Sequence, residues 1–128
     1  METKRVHLAD LHFENKLWKT RLAFYQDELK IYEHRLQEIS SHYTGMEIKK
    51  KVEHFQNQFY IQKNELVKLR QLIDREETTL SADVMSNPVA SDHRLYEDHV
   101  NLRDQVEIYD KIYAELKKEY IRFSQETL

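Results

Sequence analysis

Apolar residues in the first third of the chain recur at alternating spacings of three and four positions. One row contains Leu8, Asn15, Leu22, Leu29, Leu36 and Tyr43, and the other contains Leu11, Trp18, Tyr25, Tyr32 and Ile39. This is the a/d pattern of a helix that packs along its whole length against other helices. Only Asn15 interrupts the apolar character. The pattern therefore predicts a long helix over residues 3–42.

Two further segments repeat this register. The rows of the second are Val52, Phe59, Leu66, Ile73, Leu80 and Ile48, Phe55, Gln62, Leu69, Glu76. The rows of the third are Leu95, Leu102, Tyr109, Leu116, Phe123 and His99, Val106, Tyr113, Tyr120. We predict helices over 46–80 and 91–126. Gly45 marks the first turn, and Pro88 marks a loop over 81–91 because proline cannot continue a helix.

Three long helices joined by one tight turn and one loop predict an all-α fold. The expected architecture is an antiparallel up-down-up bundle with coiled-coil-like heptad packing. The chain has one Gly and one Pro, where average usage would give about nine and six, so it has few residues that favour turns. Its length fits a single domain over residues 1–128.

Composition and charge narrow the functional classes. Lys and Arg number 20, and Asp and Glu number 23, so the chain lacks the basic excess of a dedicated nucleic-acid binder. The one basic run, residues 49–51, has a glutamate close by on each side and is typical of a solvated helix face. We expect no nucleic-acid partner.

Cysteine usage and hydropathy bear on the location of the protein. The chain contains no Cys, which excludes disulfides and thiolate chemistry and fits a reducing compartment. The first residues lead into no apolar run of a signal peptide, and no stretch approaches the roughly 18 apolar residues of a membrane span. We therefore expect a cytoplasmic protein with no membrane partner.

Patterns of catalytic chemistry are missing from the sequence. It has no nucleophile elbow, phosphate loop or dinucleotide fingerprint, and a slim bundle seldom offers the concave pocket of an enzyme. His34 and His42 flank Glu38 on one helical face, but these positions point away from the a/d rows and are typical of a solvated face. The sequence thus predicts no enzyme, no cofactor and no metal site.

Four polar residues fall at one level of the predicted bundle. Asn15, Glu76 and His99 interrupt otherwise apolar rows, and aligning the helices by length places them near the same end. His12 lies beside them, and we name these four residues the polar layer. One interpretation is a hydrogen-bonded layer that fixes helix register. The other is a site that binds a metal or a small polar ligand, or that responds to pH.

A second set of apolar residues lies off the a/d rows. Leu17, Phe24 and Ile31 repeat every seven residues, about 100° around the helix from an inner row. A helix that touches two partners buries a stripe wider than a and d, which accounts for part of this set. The alternative is an interface with another protein chain. The predicted interface residues are Phe13, Leu17, Phe24, Ile31, Tyr60, Val67 and Ile121.

These features favour a structural or adaptor protein without intrinsic catalysis. It would act through helix-mediated protein–protein contacts, either as a homo-oligomer or with a helical protein partner. The alternative is a sensor bundle that responds to a metal or small ligand through the polar layer. Melting of the protein across pH, and with and without metal or chelator, tests that alternative.

Overall fold

The protein is an all-α bundle of three long helices, as the apolar periodicity predicts. The computed structural model describes the backbone of residues 2–86 and 92–127, and the side chains of residues 9–81 and 95–127. Within these ranges no residue belongs to a β-strand, and each helix packs against both of the others. The predicted fold class is therefore confirmed.

The helix boundaries agree with the predicted ones at most ends. The helices are α1 (Glu2–His42), α2 (Met46–Ser86) and α3 (Asp92–Thr127). α2 continues past its predicted end at Leu80, through residues 81–86, which belonged to the predicted loop. That segment contains neither Gly nor Pro, so the first residue disfavoured in a helix is Asn87, which precedes Pro88. The rest of the predicted loop, 87–91, lies outside the described residues.

The turn between α1 and α2 is short. The amide of Tyr43 donates to the carbonyl of Ile39 (3.1 Å), and the amide of Lys49 donates to the carbonyl of Gly45 (3.0 Å). Gly45 is therefore the N-cap of α2. Its φ is not positive, and no heavy atom lies within 4 Å of the position that a Cβ would occupy. This turn therefore does not require glycine for steric reasons.

Side-chain pairs between the helices fix their directions. Gln26 of α1 bonds Arg70 of α2, and Glu33 bonds Lys63. Residue numbers rise in one helix as they fall in the other, so α1 and α2 are antiparallel. The pairs between α1 and α3 are Glu14–Arg103, Arg21–Asp110 and Glu28–Lys117, each separated by 89 residues. A constant separation means that α1 and α3 are parallel, so the bundle runs up, down and up as predicted.

The buried apolar residues form two clusters. The larger cluster extends from Trp18 along the a/d rows to the end of the bundle that holds the α1–α2 turn. The smaller cluster contains only Leu11, Leu80 and Leu95, one from each helix. The inner residues of the polar layer lie between the two clusters, so polar side chains divide the core near one end.

Tyrosine hydroxyls at the rim of the larger cluster bond to backbone carbonyls. Tyr109 donates to the carbonyl of Gln62 and Tyr120 donates to the carbonyl of Tyr32, both at 3.1 Å. Burial raises the pKa of Tyr120 to about 12 and also raises the pKa of Tyr109. The rings therefore fill the core while their hydroxyls have hydrogen-bond partners.

Candidate functional site

Three members of the polar layer meet in the interior of the bundle. Asn15 of α1 and His99 of α3 are fully buried, and Glu76 of α2 retains only 9% of its accessible surface. Each occupies a heptad position that in most other heptads carries an apolar side chain. Burying polar groups costs free energy unless they find hydrogen-bond partners, so their partners decide what this layer can do.

His99 is the centre of the layer. Its Nδ1 lies 2.8 Å from Oε2 of Glu76, and its Nε2 lies 2.7 Å from Oε1 of Glu14. An ionised carboxylate only accepts hydrogen bonds, and a neutral imidazole carries only one N–H. Two ionised carboxylates, one on each ring nitrogen, are therefore both satisfied only by the doubly protonated, positively charged ring.

The surroundings of His99 favour this charged form on balance. Burial disfavours the charge and by itself would lower the pKa, but the hydrogen bonds that the ring donates to Glu76 and Glu14 outweigh it, so the pKa of His99 is raised. The indole of Trp18 stacks on the imidazole, and an aromatic face attracts a cation. In its charged form, His99 of α3 thus binds carboxylates of both α1 and α2.

Glu14 belongs to this site although the heptad rows do not reveal it. Its carboxylate accepts hydrogen bonds from Arg103, with Nη2 at 2.6 Å from Oε1 and Nε at 3.0 Å from Oε2. Burial alone would raise the pKa of Glu14, but the hydrogen bonds from Arg103 and His99 outweigh it and lower that pKa. Glu14 and Arg103 carry opposite charges and lie beside predicted members of the polar layer, Glu14 directly before Asn15 and Arg103 one helical turn after His99. This is the sequence signal from which the pair could have been predicted.

On its other side the layer reaches the surface through Glu77, which sequence reasoning also missed. Nδ2 of Asn15 donates to Oε2 of Glu76 (2.7 Å) and to Oε1 of Glu77 (2.8 Å). Oε2 of Glu77 lies 2.7 Å from Nδ1 of His12, whose side chain is 56% exposed. His12 therefore joins the layer at its solvent edge, while the other three members lie inside.

The layer contains more acceptors than donors. Among the described side chains, Oδ1 of Asn15 and Oε1 of Glu76 are buried and have no hydrogen-bond partner. Glu76 also lines a cleft of about 240 Å³ between α2 and α3, whose apolar walls include Leu72, Leu95 and Leu102. A hydrogen-bond donor, and not a further acceptor, would complement the two oxygens.

The described part of the chain contains no group of three or more His, Cys, Asp or Glu arranged to hold a metal ion. Nε2 of His34 lies 3.4 Å from Oε1 of Glu38 on the surface of α1. This pair by itself supplies two donors, fewer than the three or four protein ligands of a typical zinc site.

The predicted interface residues are all exposed. Their exposed fractions range from 37% for Ile121 to 66% for Tyr60. The bundle therefore does not bury them in a wider stripe. They are large apolar side chains in contact with solvent, at positions where polar residues would serve the fold equally well.

Five apolar residues border the groove between α1 and α3. Leu17, Phe24 and Ile31 lie next to the α1 residues that bond α3, on the side that faces solvent. Because paired residues of α1 and α3 differ by 89, Ala114 and Ile121 of α3 lie one residue beyond the levels of Phe24 and Ile31. We name these five residues the α1/α3 apolar face.

The remaining interface residues lie elsewhere. Tyr60 lines a cleft between α1 and α2 together with Glu33 and Lys63, and Val67 follows it two turns later on α2. The width of α1 separates this groove from the α1/α3 apolar face. Phe13 lies one turn before Leu17 on the outer side of α1. The seven predicted residues therefore do not form one continuous surface.

Comparison with known proteins gives no relative from which a function could be transferred. No family model, no curated protein and no solved structure matches this chain. In the described part of the chain, no helix combines the length and the apolar character needed to cross a membrane. Function is therefore inferred from the contacts and exposure of the residues themselves.

Proposed function

We propose that this chain is a structural or adaptor module that acts through helix-mediated protein–protein contacts, with the α1/α3 apolar face as its docking surface. The observation that supports this is the exposure of Leu17 (49%), Phe24 (56%) and Ile31 (65%). Large apolar side chains at one helical position every seven residues make a stripe along the helix. Exposed stripes of this kind are typical of interfaces.

The bundle does not need these side chains for its own packing. α1 packs through its a/d rows, and ion pairs such as Arg21–Asp110 (2.6 Å) and Glu33–Lys63 (3.2 Å) flank those rows on either side. Leu17, Phe24 and Ile31 lie farther from the bundle interior than the ion pairs on either side of the a/d rows. Polar residues there would leave the fold unchanged, so contact with another protein explains the large apolar groups better than folding does.

The shape of the face suits a helical partner. Leu17 and Ile31 are 14 residues apart, which corresponds to about 21 Å along α1. A partner helix with heptad-spaced apolar residues can insert its side chains between those of the row. Arg21 and Lys30, on the two flanks of the row, would form the polar rim that interfaces of this kind have.

A matched pair of double variants tests this proposal. Phe24→Glu with Ile31→Glu places two charges in the apolar face, and Asn57→Glu with Asn64→Glu places two charges at the same spacing on exposed positions of α2. We expect the first variant to lose association, because buried charges are costly, and the second to retain it. Both should keep the helicity of the parent.

Association is measured by sedimentation velocity of the purified protein and by co-purification of bound proteins from the native host. Loss of association in the α1 variant alone supports the proposal. Equal association of all three proteins, or a parent that neither self-associates nor retains a partner, contradicts it.

A second candidate function is a sensor that responds to a small ligand through the polar layer. The unpartnered Oε1 of Glu76, a residue that lines the cleft between α2 and α3, favours it. Because the unpaired atoms are acceptors, the suitable ligand is a small hydrogen-bond donor such as a primary amine with an apolar tail. Raised melting temperature with alkylamines, and no such rise in Glu76→Gln, would support this function. A melting temperature unaffected by amines, divalent metals and chelator would exclude it.

A further inference from the structure

We infer that the occupant of the α1/α3 apolar face is a second copy of this chain, whose α1 lies antiparallel to the first with Phe24 near the twofold axis. This inference rests on the proposed function and adds the identity and orientation of the partner. Two properties of α1 support it, the symmetry of its apolar row and the sequence of charges beside that row.

The apolar row is symmetric about its central residue. Leu17 lies seven residues before Phe24 and Ile31 lies seven residues after it, and both are branched aliphatic side chains of similar size. A twofold axis requires that if residue i contacts residue j, then j contacts i. An antiparallel pair of α1 helices satisfies this condition. Phe24 contacts Phe24 of the second copy, and Leu17 of each copy contacts Ile31 of the other copy.

The charges on the α3 side of the row alternate in sign every seven residues. They are Glu14, Arg21, Glu28 and Arg35. In the antiparallel pair Arg21 faces Glu28 of the second copy, and Glu14 faces Arg35. In a parallel pair the twofold axis runs along the helices, so this flank would face the opposite flank of the second copy, and Arg21 would not meet Glu28. The pairing of opposite charges therefore supports the antiparallel arrangement.

These charges already have partners within the chain, and Arg21 can serve both uses. Arg21 bonds Asp110 through a single nitrogen, at 2.6 Å, and its side chain is 43% exposed. A guanidinium has five N–H donors, so Arg21 can bind a second carboxylate without releasing the first. The ion pairs along the α1/α3 groove would thus form the rim of the interface.

The contribution of the apolar row can be measured as a change in affinity. A large aromatic side chain near the centre of an interface is a typical hot spot. We expect Phe24→Ala to weaken self-association by about thirtyfold, which corresponds to a hot-spot effect. Asn64→Ala, on the exposed surface of α2, should leave the dissociation constant within about twofold of the parent value.

Spin labels test the orientation directly, because the chain contains no cysteine and each variant carries a single label. Asp27→Cys, His34→Cys and Ser41→Cys place labels seven residues apart on the exposed side of α1. In the antiparallel pair, the distance from a label to its own copy grows along the helix axis by about 21 Å per step. In a parallel pair the three distances are equal.

Distances that grow in this way from Asp27→Cys to Ser41→Cys support the inference. Equal distances overturn the orientation, and a parent that sediments as a monomer at high micromolar concentration overturns the second copy as the occupant. If such a monomer still loses a different bound protein on Phe24→Glu with Ile31→Glu, the proposed function stands and this inference fails. Asn57→Cys on α2 is the control and should give no distance in the range of Asp27→Cys.

Discussion

The imidazole of His99 in α3 stacks on the indole of Trp18 in α1, with the ring centroids 4.7 Å apart and the ring planes inclined by 17°. Both rings are buried. Because Trp18 is the only tryptophan, all tryptophan fluorescence comes from a ring that contacts the polar layer. The protonation of His99 can therefore be followed without a label.

Stability should decrease as the pH rises through the pKa of His99. The bonds to Glu76 and Glu14 raise that pKa above the unfolded value of about 6.5. The contribution of the charged ring is therefore fully present below about pH 6.5 and is lost as the pH rises through the folded-state pKa. The urea midpoint should fall and the Trp18 fluorescence should change over the same pH range.

Two histidine variants distinguish this effect from a general one. His99→Gln should be less stable at pH 6 and should lose the alkaline decrease, whereas His34→Gln, at an exposed site, should retain it. An unchanged alkaline decrease in His99→Gln would show that another group is responsible.

On the acid side, Glu14 should contribute to the loss of stability. Its pKa is lowered in the folded protein by Arg103 and His99, against the opposing effect of burial. Its contribution is present above the unfolded value of about 4.3 and is lost as the pH falls through the lower folded-state pKa. Glu14→Gln should therefore reduce the acid dependence of the unfolding free energy. A parallel pH profile for parent and variant would contradict this.

Single and combined replacements in the polar layer should have opposite effects. His99→Leu alone leaves Glu76 buried without its cationic partner, and we expect a loss of about 3 kcal/mol in the free energy of unfolding. Replacing Asn15, Glu76 and His99 together with Leu makes the core apolar at this level and should be neutral or stabilising by about 1 kcal/mol or more. Urea unfolding measures both. A triple variant less stable than the single one would show that the layer has a further role.

A buried tyrosine hydroxyl should contribute measurably to stability. Tyr109→Phe removes the bond to the carbonyl of Gln62 (3.1 Å) in a buried position. We expect the free energy of unfolding to decrease by about 1 kcal/mol. Thermal unfolding measures this decrease. Tyr60→Phe, on the surface, is the control and should have little effect on the free energy of unfolding.

The turn between α1 and α2 offers a stabilising substitution. Gly45 is the N-cap of α2, has open space around it and has no positive φ. Gly45→Asp should add a side-chain cap and a favourable charge at the helix N-terminus, whereas Gly45→Ala adds neither. The Asp variant should be more stable than the Ala variant by about 1 kcal/mol. Equal melting temperatures of the two variants would show that capping is not limiting here.

The sequence predicts the helices well because its a/d rows are long and uninterrupted by Gly or Pro. It also places Asn15, Glu76 and His99 at one level, because helices of similar length joined by short connections have few possible registers. It does not predict which charged neighbours complete the layer. Glu14 and Glu77 flank the rows, where a charge is usually exposed, and only the packed structure shows their bonds to His99 and Asn15.

The sequence also does not predict that the exposed apolar residues lie on separate surfaces. The off-row apolar residues of each helix can be identified by counting, but which groove they border depends on the handedness with which α2 and α3 are placed around α1. The contacts of Arg21 with α3 and of Gln26 with α2 settle this. They separate Phe24 from Tyr60, which the sequence grouped together.

The small cluster of Leu11, Leu80 and Leu95 has a consequence for the dynamics of the bundle. Among the described side chains this cluster is much smaller than the one on the other side of the polar layer, so fewer described apolar contacts oppose local opening around Leu11. Amide hydrogens of residues 11–14 should exchange with solvent faster than those near Leu29, by a sub-global opening that leaves the larger cluster intact. This part of α1 would then open in advance of complete unfolding.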